Sequence, residues 1–296
     1  MMSSSSIDQT AVELRAAIDA ALDAYTDFPA GCPDHLREAI RYSLLAPAKR
    51  LRPTLVLLAA EACGGSRQAA MPAACAIEMV HTYSLIHDDL PCMDDDDMRR
   101  GLPTNHKRFG EGTAVLAGDA LLALAFETLA RDITPPDVAA SCCAVLANAA
   151  GATQLVGGQA DDLAGEFFGG NLDRLESIHA RKTGAMFLAA MHLGALVAEA
   201  TVRQRRALEE YGRKLGLAFQ IADDLLDVQG DATAMGKGVR KDAERGKLTF
   251  PAVLGIEESR RRAEALIAEA CAALEPLGER ARPLESLARY VLERNH

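Results

Sequence analysis

The chain has 296 residues, a formal net charge of −10 and an apolar content of 49%. This length and apolar fraction are enough for a substantial hydrophobic core, so the sequence predicts a globular protein. The acidic balance argues against nucleic acid as the main partner, because phosphate backbones are bound by basic surfaces. An anionic small substrate is compatible with that balance, since metal ions can reverse the local field.

Helices are predicted throughout the chain. Aromatic residues make up only 4%, tryptophan is absent and long β-branched runs are scarce, which favours helix over sheet. Leu14, Ile18 and Leu22 recur at helical spacing, and a second helix is predicted after Pro33-Asp34. A third is predicted from Pro53 to Gly64-Gly65. Further helices are predicted over 73–90, 113–130, 137–150, 153–164, 172–200, 202–228, 248–274 and 282–294. Because no Pro/Ser-rich linker divides them, we expect one all-α domain over residues 1–296.

The cysteines and the first residues bear on cellular location. The seven cysteines form no CxxC pair, and they stand at positions 32, 63, 75, 92, 142, 143 and 271. This pattern predicts reduced, buried thiols and a cytoplasmic protein. The start of the chain has no positive segment followed by an apolar one, and no later apolar stretch reaches the roughly 18 residues that cross a bilayer. The sequence therefore predicts no leader and no membrane span.

An acidic cluster lies in SLIHDDLPCMDDDDMRRG, residues 84–101. Acidic runs are usually solvated surface, but Asp88 and Asp89 end an apolar run and Pro91 interrupts the helix that a solvated face would continue. On an unbroken helix Asp94 would point away from Asp88. A bend at Pro91 predicts that Asp94 comes round to the same side.

A second acidic cluster lies in FQIADDLLDV, residues 219–228. Asp223 and Asp227 are four apart and share a helix face, with Asp224 and Gln220 beside them. Crowded carboxylates favour neutral forms, and a divalent cation relieves their repulsion. Ligands that are all oxygen indicate Mg²⁺ rather than zinc. Alone, this motif is also compatible with surface charge; two such helix ends facing each other would hold several Mg²⁺ ions with a diphosphate between them.

Basic segments follow both acidic clusters. Arg99 and Arg100 would supply guanidinium forks for diphosphate oxygens. The stretch from Gly230 to Lys247 is polar, rich in Gly and Lys, and directly follows the second cluster. Long loops of this kind are often lids over sites.

With these motifs in order, the chain resembles the short-chain trans-isoprenyl diphosphate synthases of the bacterial farnesyl diphosphate synthase (geranyltransferase) type. The resemblance covers essentially the whole chain, and its motifs are KRLRP (49–53), IHDDLPCMDDDDMRRG (86–101), GGQADDL (157–163), KTGAM (182–186), FQIADDLLD (219–227) and GK (246–247). It implies a single large helical bundle of the isoprenoid synthase type around a central apolar tunnel. One departure is Ala48, where many relatives have Gly; it would alter the turn before Lys49 without removing the cations.

The resemblance also implies the reaction. Members join isopentenyl diphosphate head to tail to an allylic diphosphate by Mg²⁺-assisted ionisation, condensation and elimination, and the departing diphosphate takes the final proton. For this chain the allylic substrate would be dimethylallyl or geranyl diphosphate, with three Mg²⁺ ions per site, and the protein would be a homodimer. The predicted product is farnesyl diphosphate (C15), with a geranylgeranyl diphosphate synthase as the alternative.

Site residues are carried over by motif. The metal ligands would be Asp88, Asp94 and Asp223, assisted by Asp89, Asp224 and Asp227. The allylic diphosphate would be bound by Arg99, Lys182 and Lys237. Isopentenyl diphosphate would be bound by Lys49, Arg52, His81 and Arg100, and Lys247 would be a further substrate-binding residue. The carbocation would be stabilised by the Thr183 hydroxyl and the Gln220 carbonyl. Arg294-Asn295-His296 resembles the basic terminus that relatives fold over isopentenyl diphosphate.

Other interpretations exist for single residues and for the whole chain. Taken alone, Lys49 and Arg52 are ordinary surface cations, His81 is a hydrogen-bonded core histidine, and Gln159 with Asp162 is a helix-capping pair. A class I terpene cyclase pairs one aspartate-rich helix end with an Asn/Ser/Glu triad, and the second DDxxD and KRLRP argue against it. A non-catalytic regulatory subunit of a prenyl synthase would have lost aspartates, whereas both clusters are intact here.

Two residues before Asp88 are predicted to set product length. Tyr83 lies five positions earlier, about 7.5 Å down the helix axis, and Ser84 lies one turn earlier, at about 6 Å. A phenol ring at that depth would stop a growing prenyl tail, whereas small Ser84 leaves room for one more round of elongation.

Overall fold

The computed structural model describes residues 4–168, 171–229 and 248–293, and their regular secondary structure is almost entirely helical, as predicted. The helices are α1 (Ser4–Tyr25), α2 (Asp34–Leu44), α3 (Leu51–Ala62), α4 (Arg67–Asp88), α5 (Asn105–Phe109), α6 (Glu111–Asp132), α7 (Pro136–Ala150), α8 (Leu155–Phe168), α9 (Leu172–His179), α10 (Ala185–Val197), α11 (Val202–Gln229), α12 (Phe250–Leu254), α13 (Ile256–Ala273) and α14 (Arg282–Glu293). A π-helical turn, Ala180–Gly184, joins α9 to α10, and a 3₁₀ turn, Glu275–Ala281, joins α13 to α14.

Helix α4 is the centre of the molecule. Its first turn is capped by Ser66, whose hydroxyl accepts a hydrogen bond from the Ala69 N–H at 3.2 Å. Alanine and other apolar residues then cover nearly every face, so α4 can be buried all round. It packs against α3, α6 and α10, and α10 packs in turn on α11. The acidic end of α4 is therefore the end of a helix that runs through the inside of the bundle.

Two predicted helices are interrupted in the structure. The stretch 172–200 is broken by the π-helical turn, and the stretch 248–274 is divided at Gly255, whose φ of 83° lies in the left-handed region. Helix α3 begins at Leu51, two residues before Pro53, which still lies in the first turn. Element type was therefore predicted better than element boundaries.

A short β-hairpin, which the sequence interpretation did not include, follows the first acidic cluster. Strands β1 (Met98–Arg99) and β2 (Leu102–Pro103) are antiparallel, with Arg99 opposite Leu102. The two connecting residues, Arg100 and Gly101, have φ values of 54° and 76°. Positive φ at both positions is typical of a type I′ turn, whose twist matches that of the strands. The hairpin therefore fixes the direction in which the Arg100 side chain extends from the backbone.

The described residues contain one large apolar cluster and a smaller one. The large cluster runs from α1 to α14, and the smaller one joins α9, α11, α12 and α13 around Phe250. All seven cysteines are unpaired. The prediction that they are all buried was wrong, because Cys92 is exposed in the loop after α4 and only Cys75 and Cys142 are fully buried.

Two helical stretches have the length and hydropathy of a membrane span. They are α6, with a mean hydropathy of 1.6, and Pro136–Ala164, with 1.4. Core helices of proteins without a span pass the same test, and 44% and 33% of these stretches is buried inside the bundle. Contrary to the sequence interpretation, apolar stretches of sufficient length therefore occur, and the absence of a span stays a prediction.

Candidate active site

The first acidic cluster forms where α4 ends. Asp88 is the last helical residue and Asp89 follows it as the cap. The chain then folds back, because the Asp94 N–H donates to the Asp88 carbonyl at 2.8 Å and the Asp96 N–H donates to the Asp89 carbonyl at 3.2 Å. The bend predicted at Pro91 thus brings Asp94 beside Asp88.

The Asp88 carboxylate lies in an unfavourable environment for a negative charge. Its pKa is raised to about 6, chiefly by burial and also by the negative charges of Asp94 and Asp89, against the opposing effect of Lys182 and Arg99. A group in this state gains from any cation that reaches it. The arrangement therefore favours cation binding between the Asp88 and Asp94 side chains.

Asp89 has a different environment from Asp88. It is 2% exposed, and both of its carboxylate oxygens accept hydrogen bonds from Arg99 Nε at 2.7 Å. Arg99 Nη2 lies 2.5 Å from one of them. Although burial lowers the pKa of Arg99, the Asp89 carboxylate more than offsets it and the pKa is raised. Asp89 therefore holds Arg99 and the β-hairpin against the end of α4.

The π-helical turn places Lys182 opposite the first cluster. Lys182 Nζ lies 2.7 Å from Asp162 Oδ2 on α8, and Asp88 and Asp94 also raise its pKa against the effect of burial. The approach of α8 requires glycine at position 158, because a Cβ there would lie 2.6 Å from the Lys182 backbone nitrogen. The alternative of a Gln159–Asp162 capping pair was wrong, because both residues lie inside α8 rather than at its end.

A chain of hydrogen bonds connects the π-helical turn to α11. Thr183 Oγ1 donates to Gln220 Oε1 at 3.1 Å, and Gln220 Nε2 donates to Asp224 Oδ1 at 2.9 Å. The other Asp224 oxygen accepts from the Phe250 N–H at 2.9 Å. Asp224 is 4% exposed. It is therefore turned into the protein, where it fixes the orientation of the Gln220 amide.

The remaining carboxylates of the second cluster lie on another face of α11. Asp223 and Asp227 are one helical turn apart and both are partly exposed. The negative charge of Asp223 raises the pKa of Arg52. The second cluster thus lies close to the residues of the KRLRP motif.

Arg52, His81 and Arg100 form a cationic group beside the clusters. Arg52 Nη1 donates to His81 Nε2 at 3.1 Å, and the guanidinium lies 5.2 Å from the centroid of the Phe187 ring. Burial lowers the pKa of Arg52 to about 10. Burial, followed by the charges of Arg52 and Arg100, lowers the pKa of His81 well below its ordinary value. His81 is therefore neutral, and Arg52 and Arg100 carry the positive charge.

A buried ion pair beneath this group was missed by the sequence interpretation. Arg50 Nη1 lies 2.8 Å from Glu78 Oε1 with both side chains almost fully buried, and Arg50 also bonds to Asp19 and to the Leu44 carbonyl at 2.7 Å each. Arg50 has a φ of 49°. A lone glutamate inside the apolar stretch of α4 was the available signal, because a buried charge needs a partner.

Tyr83 and Ser84, the two residues predicted to set product length, lie on α4. Tyr83 is 7% exposed, and its ring meets the His87 ring edge to face at a centroid distance of 5.7 Å. The Ser84 hydroxyl donates to the His81 carbonyl at 2.8 Å. His87 packs closely on α6, where a Cβ at Gly118 would lie 2.1 Å from His87 Nε2. Tyr83 therefore has little freedom to move aside.

The predicted site residues differ in whether they fall within the described part of the chain. Lys237, Lys247 and the terminal Arg294-Asn295-His296 lie outside the described residues. Lys49 directly precedes the left-handed Arg50 at the start of α3. The described members come together as two acidic helix ends, a lysine opposite one of them and a cationic group at the side.

Comparisons with known proteins show the family of the chain. A family model described as polyprenyl synthetase matches residues 33–278. The chain belongs to the polyprenyl synthetase family. It is 48% identical over 273 residues to geranylgeranyl pyrophosphate synthase 11, chloroplastic, of Arabidopsis thaliana. The matched region covers 89% of this chain and 76% of the relative. The chain is 47% identical over 258 residues to the farnesyl diphosphate synthase of Geobacillus stearothermophilus, which spans 86% of each chain.

Solved structures agree with the family. The apo crystal structure of an FPP/GFPP synthase from Zymomonas mobilis superposes with a TM-score of 0.89 at 40% identity, over 98% of this chain and 100% of that one. The all-α fold is thus of the isoprenoid synthase type, and the polyprenyl synthetase is a trans-prenyltransferase. The central apolar tunnel stays a prediction.

Prenyl synthetases of this family use Mg²⁺. The donor set fits such an ion, because Asp88 and Asp94 offer carboxylate oxygens that disfavour each other's charge. Asp223 and Asp227 would hold ions from the side of α11. Bound Mg²⁺ neutralises the charge that develops on a diphosphate leaving group.

Proposed function

We propose that the protein condenses isopentenyl diphosphate with dimethylallyl and then geranyl diphosphate, and releases farnesyl diphosphate (C15). The observation that carries the product length is Tyr83. Its ring is buried on α4, is backed by His87, and lies about 7.5 Å along the helix axis from Asp88. A prenyl tail that enters from Asp88 along α4 would meet this ring.

The allylic diphosphate is assigned to the space between the two acidic clusters. Lys182 is held at its edge by Asp162, and Arg99 is held by Asp89, so both cations are already oriented before the substrate arrives. Fixed cations at a departing diphosphate lower the barrier to C–O cleavage, because no reorganisation is needed as charge develops.

Isopentenyl diphosphate is assigned to Lys49, Arg52, His81 and Arg100. Arg52 and Arg100 are half-buried cations whose pKa values are lowered by desolvation, and a bound anion would compensate their charge. His81 is neutral and accepts from Arg52, so it orients the guanidinium. The Arg52 Nε atom is buried and has no hydrogen-bond partner among the residues that the structure describes, which leaves a donor for a phosphate oxygen.

Between these two substrates lie the groups assigned to the carbocation. The Gln220 carbonyl accepts from the Thr183 hydroxyl, and the amide end of Gln220 is held by Asp224. Two oxygens with negative partial charge are thereby fixed in place. Ordered dipoles of this kind stabilise a developing positive charge.

Product analysis tests the proposal. The enzyme is incubated with dimethylallyl diphosphate, excess isopentenyl diphosphate and Mg²⁺, and the products are dephosphorylated and separated by chain length. We expect mainly C15. Mainly C20 would overturn the assignment of product length while leaving the prenyltransferase intact, and no condensation at all would overturn the reaction.

A geranylgeranyl diphosphate synthase is the second candidate. The observation that favours it is the 48% identity to the Arabidopsis thaliana protein that carries that name. The two candidates differ in whether a C15 tail can be extended once more, and a time course at excess isopentenyl diphosphate separates them. Persistent C15 favours the first candidate, and its conversion to C20 favours the second.

We also infer that the protein is a cytoplasmic homodimer without a membrane span. The support is the family resemblance together with the acidic charge of −10 and the pattern of cysteines without CxxC pairs. Light scattering at working concentration is expected to give twice the mass of one chain. A monomer in that measurement would contradict the inference.

A further inference from the structure

A second group of possible metal ligands lies in the loop beyond the two catalytic clusters. One ligand atom from each of Asp95, Asp97 and His106 lies within 4.8 Å of the other two. Asp95 and Asp97 are exposed, whereas His106, in the short helix α5, is 6% exposed. None of the three belongs to the residues assigned to the diphosphates or to Mg²⁺.

Hydrogen bonds define the tautomer of His106. Thr104 Oγ1 donates its only proton to the Asp96 carbonyl at 2.7 Å, and the same oxygen lies 3.2 Å from His106 Nδ1. The second contact must then be a donation from Nδ1–H to the threonine oxygen. Nδ1 therefore carries a proton in this contact, and Nε2 is the ring nitrogen that remains for a ligand.

The other ring nitrogen of His106, Nε2, is buried and makes no hydrogen bond with the described residues. The Asp95 and Asp97 carboxylates, which accept but do not donate, are grouped with this imidazole. An imidazole nitrogen and two carboxylates in one group can share a cation, and a metal-bound histidine usually donates its other ring N–H to a fixed acceptor, as Nδ1 does here to Thr104.

The donor set indicates the kind of cation. Mg²⁺ prefers oxygen ligands alone, whereas one imidazole with two carboxylates suits Zn²⁺ and related transition metals. We propose that Asp95, Asp97 and His106 bind one Zn²⁺ ion, distinct from the Mg²⁺ ions of the reaction. The loop is held in position for this role, since the Thr104 N–H donates to the Asp97 carbonyl at 2.9 Å and Lys107 pairs with Asp97 Oδ1 at 2.7 Å.

An ion at this position would connect the loop that carries Asp94 to α5. The backbone of Asp94 is bonded to the end of α4, and Asp95 follows directly with a φ of 48°. Zn²⁺ occupancy would therefore restrain the segment between the first cluster and the β-hairpin. The site is set apart from the proposed condensation, so its occupancy can be measured without any turnover assay.

Competition with a chromophoric chelator tests the proposal. The full-length protein is stripped of metal and titrated with Zn²⁺ in excess Mg²⁺, which occupies the catalytic carboxylates. We expect one Zn²⁺ per chain, with binding about 100-fold weaker or more in His106→Gln and in Asp95→Asn. Co²⁺ in place of Zn²⁺ should give visible absorption bands in the wild type that are lost in both variants.

Two matched controls separate this site from other binding. His35→Gln removes an exposed histidine on α2, and Asp88→Asn alters the first catalytic cluster; both should keep the Zn²⁺ site at wild-type affinity. If His106→Gln does not fold, the Zn²⁺ affinity of Asp95→Asn decides the test, because Asp95 is exposed. The proposal would be overturned if wild type bound no Zn²⁺ in excess Mg²⁺, or if all variants bound Zn²⁺ with equal affinity. It would also be overturned if only Asp88→Asn lost binding, because the ion would then lie at the catalytic cluster.

Discussion

Replacement of Tyr83 by alanine is expected to lengthen the product from C15 toward C20. The tyrosine ring is 7% exposed and packs against His87 at 5.7 Å. Alanine removes the whole ring about 7.5 Å along the axis from Asp88, where a tail lying along α4 would end. His87 cannot readily fill the space, because it is itself held against α6 beside Gly118.

Two magnitudes follow from this burial. Loss of a buried aromatic side chain costs about 3–5 kcal/mol of stability. At roughly 2–4 °C per kcal/mol for chains somewhat shorter than this one, the melting temperature should fall by about 6–20 °C. A change in the C20:C15 product ratio from about 1:10 to about 10:1 is a change of roughly 100-fold. It corresponds to about 3 kcal/mol in the barrier to the third condensation.

The assay compares product length in three variants at a temperature at which all are folded. Tyr83→Phe keeps the ring and should still release C15. Tyr211→Ala is the matched control, because Tyr211 is fully buried on α11 and its hydroxyl donates to the Leu284 carbonyl at 2.7 Å; it should lose stability without a change in product. Folded Tyr83→Ala enzyme that still stops at C15 would refute the reasoning, as would equal lengthening in Tyr211→Ala.

Four further predictions concern charge. Condensation should stop in excess EDTA and return with Mg²⁺, and Asp223→Ala should lower turnover about 100-fold or more with little change in melting temperature; full turnover without Mg²⁺ would contradict the assigned metal ligands. In the metal-free protein the folded form binds the Asp88 proton more tightly than the unfolded form, since the pKa rises from 3.8 to about 6. The free energy of unfolding should therefore fall as pH rises from about 4 to 6. Measured by urea titration, the free energy of unfolding of Asp88→Asn should be higher than that of wild type above pH 6, by at most about 3 kcal/mol, and equal to it near pH 4. Finally, Glu78→Leu should cost about 3–5 kcal/mol because it removes the buried one of the two acidic partners of Arg50 and leaves only the half-exposed Asp19. Adding Arg50→Met should recover part of that loss, whereas two additive losses would show that the pair is not coupled.

The arrangement of the first cluster was predictable because its causes are local. An apolar run followed by aspartates predicts a buried helix that ends in charge, and Pro91 predicts the turn that brings Asp94 back to Asp88. Both features are present at the end of α4. The second cluster was predictable for a similar reason, because Asp223 and Asp227 stand one turn apart on a helix without interruption.

Other parts of the site depend on contacts that no local pattern records. The Arg50–Glu78 pair joins residues 28 positions apart, and Lys182 meets Asp162 only because α8 lies against the π-helical turn. The β-hairpin has two residues per strand, too few to produce an alternating pattern, and its turn uses Arg100 where asparagine or aspartate is common. Sequence position alone also could not separate Asp223, which is partly exposed, from Asp224, which is turned into the protein.

The π-helical turn has a consequence for which insertions and deletions the chain can accept. A π turn contains one residue more than an α-helical turn, and each residue of a helix rotates the next by about 100°. Deleting one residue between Ala180 and Gly184 would let α9 and α10 join as one regular helix, but would rotate α9 by that angle relative to Phe187 and the core. Lys182 would then no longer face Asp162. The length of this segment is therefore as strongly constrained as the identity of its lysine and threonine, and homologous chains should be aligned here without gaps.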